Sequence, residues 1–93
     1  MEINGIIWMQ DIVDKLEWKH GVTTDEVEEV FYDQPQYRHI ERGDIAGEDL
    51  YVSLGQTSQG RYLVVFFVHK KTNEALIISA REMTAREKRS YGR

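Results

Sequence analysis

The sequence predicts a segregated α+β domain, in which two N-terminal helices pack on one face of a mainly antiparallel sheet of about four strands. A short helix is expected to follow at the C-terminus. Three observations support this prediction: apolar residues recur at helical spacing in the first third, the period changes to two from Tyr37 onward, and the later segments are joined by short polar connections. Ninety-three residues are enough for one core, so a single domain, 1–93, is expected.

Two helices are expected ahead of the sheet, preceded by a short strand between Ile3 and Trp8. The first helix has an apolar face and ends at Gly21; its apolar residues are Met9, Ile12, Val13 and Leu16. The second begins at Thr23, because Glu26 follows three residues later as in a capping box, and it ends before Pro35.

Four segments with a period of two follow, at residues 37–41, 49–55, 61–69 and 75–81. The last three should form an antiparallel meander, because the connections 56–60 and 71–74 suit hairpins. The third is apolar on both faces and is expected at the centre of the sheet. Strict alternation in the fourth segment places Ile77 and Arg81 on one face. Thr84 and Glu87 repeat the capping-box pattern and open the C-terminal helix.

Charge is divided unevenly along the chain. Residues 61–93 carry eight Lys or Arg against three acids, net +5, and residues 1–60 carry four against thirteen, net −9, which together give −4. The basic third can bind phosphate, so the sequence points toward RNA. The residues expected to contact RNA there are Arg86, Lys88, Arg89 and Tyr91.

The composition excludes several kinds of site. Without cysteine the chain has no disulfide framework, no thiolate metal site and no Cys nucleophile. The longest apolar run, 62–68, is too short to span a bilayer, and the N-terminus does not resemble a signal peptide. We therefore expect a soluble cytoplasmic protein that does not bind membranes.

RNA cleavage needs a group that deprotonates the 2′-hydroxyl, a group that protonates the leaving oxygen, and positive charge at the phosphate. His20, Glu48, Arg61 and Arg81 are the candidates for these roles. The turn at Lys19 and His20 also fits a plain helix cap with cations at the C-terminal end, and the residues alone leave this alternative open. The histidines lie in separate elements, so neither a metal site nor a cofactor is expected.

Several short motifs follow one another along the chain: Trp8, Lys19-His20-Gly21-Val22, Val30-Phe31-Tyr32-Asp33, Gly47-Glu48, Gly55, Ile77-Ile78-Ser79-Ala80-Arg81, Glu87 and Tyr91. Together they resemble the BrnT family of toxins over nearly the whole chain. The resemblance implies a RelE-like fold, ribonuclease activity in a type II toxin-antitoxin module, and neutralisation by a ribbon-helix-helix antitoxin of the BrnA type that also binds operator DNA. By this resemblance Lys19, His20, Glu48 and Arg81 occupy family motifs. We expect a metal-independent endoribonuclease that meets DNA only through its antitoxin.

The chain departs from the family pattern at several positions. Leu50 stands where family members usually carry Arg, Ile12 and Leu16 stand where they tend to show Lys and Asn, and Thr24 replaces an aromatic residue. Leu50 should lie on an apolar strand face with its alternate neighbours. The alternative is therefore a non-catalytic RNA- or protein-binding module that retains the toxin fold.

Overall fold

A computed structural model of the protein describes residues 1–92. Its helices are α1 (Gln10–Lys15), which continues as a π-helical segment (Leu16–His20), α2 (Thr24–Tyr32) and α3 (Ala85–Tyr91). Its strands are β1 (Gly5–Ile7), β2 (Gln36–Glu41), β3 (Leu50–Gln56), β4 (Tyr62–His69) and β5 (Glu74–Glu82). The α+β class and the order of elements agree with the sequence prediction.

The strands form one mixed sheet in the order β1-β5-β4-β3-β2. Strands β3 to β5 form the antiparallel meander that the short polar connections predict, with β4 at the centre of the sheet, and β2 pairs with β3 in the antiparallel sense. β1 adds a fifth strand, which pairs with β5 in parallel. The prediction of a mainly antiparallel sheet of about four strands is therefore confirmed, except that the sheet also contains this short parallel edge strand.

Helices α1 and α2 cover one face of the sheet and form the main core with it. Apolar residues of the helical layer pack on the buried side chains of β4 and β5; the core includes Leu16, Val22, Val27, Val30, Phe31, Leu63, Val65, Phe67, Ala75, Ile77 and Ala80. α2 lies very close to β3, since an added Cβ at Gly55 would stand 3.0 Å from Cγ1 of Val30. Only glycine allows this approach without displacement.

The N-termini of α2 and α3 are fixed by the two capping boxes that the sequence predicts. In α2, the hydroxyl of Thr23 accepts the N–H of Glu26, whose carboxylate accepts the N–H of Thr23. Thr84 and Glu87 make the same reciprocal pair at the start of α3. Each box satisfies backbone N–H groups that have no partner within the helix.

The regular alternation of β5 breaks once. Ser79 pairs with Phe66, whereas Ile77 pairs with the next residue of β4, so Ile78 is an extra residue in a β-bulge. The prediction that Ile77 and Arg81 share a face is therefore wrong, because the extra residue inverts the phase of the strand. Ile77 lies in the core under the helices, and Arg81 reaches the opposite face.

We call that opposite side of the sheet the second face. α3 packs on part of it, and its Tyr91 contacts a smaller apolar cluster of Val52, Leu54, Val64 and Met83 together with Tyr62 and Phe66. The remainder of the second face is not covered by α3. Among the described residues, no helix has the length and apolar character needed to cross a bilayer.

Candidate functional site

Arg61 lies immediately before β4, and all three nitrogens of its guanidinium donate hydrogen bonds to protein groups. Its Nη1 donates to the carbonyl of Gly21 at 2.7 Å and to Glu26 at 3.1 Å, and its Nη2 donates to the carbonyl of His20 at 3.0 Å and to Glu82 at 3.1 Å. Burial lowers the pKa of Arg61, but the hydrogen bonds to the two carboxylates outweigh it and leave the pKa raised. The guanidinium therefore serves to hold these parts of the folded chain together.

Lys19 and His20 occupy the last turn of the π-helical segment. Gly21 ends this segment in the left-handed region, at a φ of 62°, and the N–H of Val22 donates to the carbonyl of Leu16 at 3.1 Å. The helix-cap interpretation is thus confirmed for the backbone. The Lys19 side chain is exposed and that of His20 is half-buried, so both remain accessible to a ligand.

Arg81 lies on the second face, beneath the start of α3. Its two terminal nitrogens donate to the two oxygens of Glu87 at 2.8 and 3.1 Å, and its guanidinium carbon stands 5.5 Å from the centre of the Phe66 ring. Hydrogen bonding to Arg81 lowers the pKa of Glu87 to about 2, and the same contact raises the pKa of Arg81. Both groups are therefore charged at neutral pH.

Cationic side chains gather around α3 and the neighbouring part of β2. Lys88 lies over the ring of Tyr62 at 5.4 Å, and Arg86 and Arg89 are exposed and make no side-chain hydrogen bond or ion pair within residues 1–92. From β2, Arg38 donates to the hydroxyl of Ser90 at 2.6 Å. We call Arg38, Arg86, Lys88 and Arg89 the α3 cationic surface.

Arg38 is the member of this surface that the sequence analysis missed. It lies on an edge strand and 48 residues before Arg86, so no local pattern connects the two. The one available signal was its positive charge, because Arg38 and Arg42 are the only Lys or Arg between residues 20 and 60.

Tyr91, which the sequence predicts to contact RNA, faces the sheet. Its ring meets that of Tyr62 edge-on, with 6.1 Å between the ring centres, and its carbonyl accepts a hydrogen bond from the Gln36 side chain at 3.0 Å. Tyr91 is half-buried and anchors the end of α3 on the sheet, next to the cations.

Glu48 lies at the other end of the sheet. Its carboxylate accepts a hydrogen bond from the Lys70 side chain at 2.7 Å and one from the N–H of Lys71 at 3.2 Å, which lower its pKa. Arg61 precedes the eight residues of β4, and Lys70, the partner of Glu48, follows them. At a rise of roughly 3.3 Å per residue, Arg61 and Lys70 are more than about 25 Å apart. Glu48 and Arg61 cannot contact the same phosphate.

The five catalytic candidates therefore occupy three places. Lys19, His20 and Arg61 lie at one end of the sheet on the helix side, Arg81 lies at the same end on the second face, and Glu48 lies at the far end. Beside Glu48, the predicted apolar strand face of Leu50 is confirmed, and Leu50 lines a groove of about 470 Å³. Within residues 1–92, no three His, Asp or Glu side chains converge as metal ligands would.

Comparison with known proteins gives one family. No curated protein is similar enough to this chain to count as a match. The sequence model of a family described as "Ribonuclease toxin, BrnT, of type II toxin-antitoxin system" matches residues 8–87 of the 93. That family implies an antitoxin as partner and RNA as substrate. The match spans both ends of the sheet and the start of α3, and the chain belongs to the BrnT family of ribonuclease toxins.

Proposed function

We propose that this toxin is a metal-independent endoribonuclease of the cytoplasm, with a RelE-like fold, that binds RNA along the α3 cationic surface. The observation that carries the proposal is the meeting of Arg38 with the α3 cations on one side of an acidic protein. Cations that lack acidic partners bind phosphates and displace their counterions, whereas paired cations do so less well. The acidic remainder of the chain directs a polyanion to this surface.

Arg81 and His20 are the residues that we propose for the chemistry. Arg81 keeps its charge beside Glu87 and can stabilise the negative charge that develops on a phosphate. His20 supplies an imidazole, a side chain that enzymes often use as a proton donor or acceptor, and Lys19 adds a cation beside it. Arg81 and His20 lie at the same end of the sheet, where Glu82, the residue after Arg81, and the carbonyl of His20 accept hydrogen bonds from the same nitrogen of Arg61.

Arg61 and Glu48 receive different parts in this proposal. Arg61 holds the turn that carries His20, because its donors are engaged by protein groups. Glu48 lies too far from His20 to share a proton-transfer step, which needs hydrogen-bond reach or one bridging water. Its bonds to Lys70 and Lys71 give it a structural part at the opposite end of the sheet.

The proposed antitoxin is a ribbon-helix-helix protein of the BrnA type. Support for this comes from the BrnT family, whose description includes the type II toxin-antitoxin system. In this proposal the antitoxin supplies the contact with operator DNA. The toxin chain itself, with a net charge of −4, has little attraction for duplex DNA outside its cationic surface.

The deciding experiment is tightly controlled expression in a bacterial host, with growth and total RNA followed together. We expect growth arrest and RNA decay, and we expect His20→Ala and Arg81→Gln each to slow cleavage by roughly 10²-fold or more. Glu48→Gln, at the far end of the sheet, is the matched control and should still cleave. Purified toxin should cleave RNA equally well with and without EDTA.

A second candidate function is a non-catalytic binding module that retains the toxin fold. The aliphatic lining of the groove beside Glu48, including Leu50, favours it. Normal growth and intact RNA, with soluble folded protein and measurable RNA or protein binding, would establish this function in place of the first.

A further inference from the structure

α3 covers only part of the second face of the sheet. Beside α3, the side chains of Leu50, Val68, Leu76 and Ile78 form the floor of a groove of about 470 Å³, and Ile45 from the loop after β2 forms one wall. Ile78 is 38% exposed and Ile45 is 55% exposed. We call this feature the aliphatic groove.

The aliphatic groove is unsuited to RNA. Its floor has no aromatic ring on which a base could stack, and single-stranded RNA is usually bound through stacking and cations. Its rim carries the carboxylates of Glu41, Asp44 and Glu48 against the cations of Arg42 and Lys70, and Lys70 is already paired with Glu48 at 2.7 Å. A phosphate backbone would meet a net negative rim over an apolar floor.

The dimensions of the aliphatic groove suit one helix. Its floor comes from the three adjacent strands β3, β4 and β5, which span about 10 Å at a strand spacing of about 4.8 Å. This width matches the diameter of an α-helix with its side chains, about 10 Å. The packing of α3 on the neighbouring part shows that this sheet face accepts a helix.

We propose that the aliphatic groove is the docking site for an amphipathic helix of the antitoxin. The helix would bury aliphatic side chains against the floor and place Lys or Arg beside Glu41 and Asp44, which make no ion pair within residues 1–92. The identity of this partner rests on the proposed function, because the antitoxin is the protein partner that the family implies.

A helix in the aliphatic groove would also exclude RNA. Glu41 on the rim pairs with Leu50 on the floor, and Arg38 pairs with Val52, two residues further along β3. Two strand residues correspond to about 7 Å. A docked helix therefore comes within side-chain reach of the α3 cationic surface, and the antitoxin and RNA compete for the second face without sharing the same contacts.

The test is an NMR titration of the full ¹⁵N-labelled chain with two synthetic helices of about 16 residues, one of Leu, Ala and Lys and one of Leu, Ala and Glu. We expect the Lys helix to give saturable shifts at the groove floor and to bind more tightly than the Glu helix. Bound Lys helix should also lower the affinity for a short single-stranded RNA. Because no cleavage or growth arrest is needed, failure here is distinct from failure of the proposed ribonuclease.

Three variants make the test specific. Ile78→Asp places a charge on the apolar floor and should weaken the Lys helix at least about tenfold. Ile40→Asp makes the same change on β2 outside the groove, at a side chain 48% exposed, and should have little effect. Glu41→Lys and Asp44→Lys should each shift preference toward the Glu helix by roughly two- to fivefold.

Three outcomes would overturn the proposal. Shifts confined to the acidic side of α2 would show non-specific attraction of a cationic peptide. Larger shifts at the groove floor with the RNA than with either helix would assign the aliphatic groove to the substrate. Self-association of the toxin that Ile78→Asp abolishes would assign the groove to a second copy of the chain.

Discussion

Replacement of Glu87 by Gln tests how strongly one ion pair holds α3 on the sheet. Glu87 accepts two hydrogen bonds from Arg81, and this contact lowers its pKa from 4.5 to about 2. That difference corresponds to roughly 3.4 kcal/mol as an upper bound. The side chains of Arg81 and Glu87 are 36% and 25% exposed, so solvent screening reduces the contribution to about 1–2 kcal/mol. Gln can still cap α3, so the substitution removes mainly the charge.

The pH dependence of this contribution follows from the direction of the pKa change. Because the folded-state pKa of Glu87 lies below its unfolded value, the stabilisation is present above about pH 4.5 and is lost as the pH falls toward 2. In urea denaturation, Glu87→Gln should lower the free energy of unfolding by about 1–2 kcal/mol at neutral pH and hardly at all near pH 2. Other carboxylates titrate in this range, so the difference between wild type and variant is the quantity to follow. An equally stable variant at neutral pH, or a deficit unchanged near pH 2, would refute the reasoning.

Three other substitutions probe the fold and the RNA surface. Arg61→Gln leaves Glu26 without its cation and should cost about 2–4 kcal/mol of unfolding free energy in thermal denaturation, with Arg61→Lys recovering only part. Gly55→Ala forces a Cβ to 3.0 Å from Val30 and should cost about 1–3 kcal/mol in urea, and a neutral result would show that α2 shifts freely. Arg89→Gln should weaken RNA binding uniformly across sequences and reduce the salt slope by roughly 0.7; a sequence-dependent loss would contradict a phosphate contact.

The parts of the fold that local chemistry determines were predictable from the sequence. Both capping boxes, at Thr23 and Thr84, involve residues three positions apart and are confirmed. The hairpins of the meander are likewise set by short connections. The bulge at Ile78 was not predictable, because it depends on how β5 pairs with β4, and the side of the sheet reached by Arg81 depends on that bulge.

The candidate site shows the same limit more clearly. Arg61 looked like a phosphate ligand in the sequence, yet its partners come from His20, Gly21, Glu26 and Glu82, up to 41 residues away. A sequence shows the charge of a side chain. It does not show whether folding places that charge next to groups that neutralise it. The roles of His20, Lys19 and Arg81 in RNA cleavage remain predictions that the variants above can test.

Under the proposed function, in which RNA binds at Arg81, the Arg81–Glu87 pair links the stability of α3 to RNA binding, with opposite signs. A phosphate that binds Arg81 must compete with Glu87, whose low pKa keeps it ionised over the physiological range. The interaction that stabilises α3 therefore weakens the affinity of Arg81 for RNA by a comparable free energy, about 1–2 kcal/mol or roughly 5- to 30-fold in binding. Glu87→Gln should loosen α3 and at the same time tighten RNA binding. If Glu87→Gln weakened RNA binding instead, α3 would have to act as a rigid platform for the RNA, with Arg81 serving only to hold that platform in place.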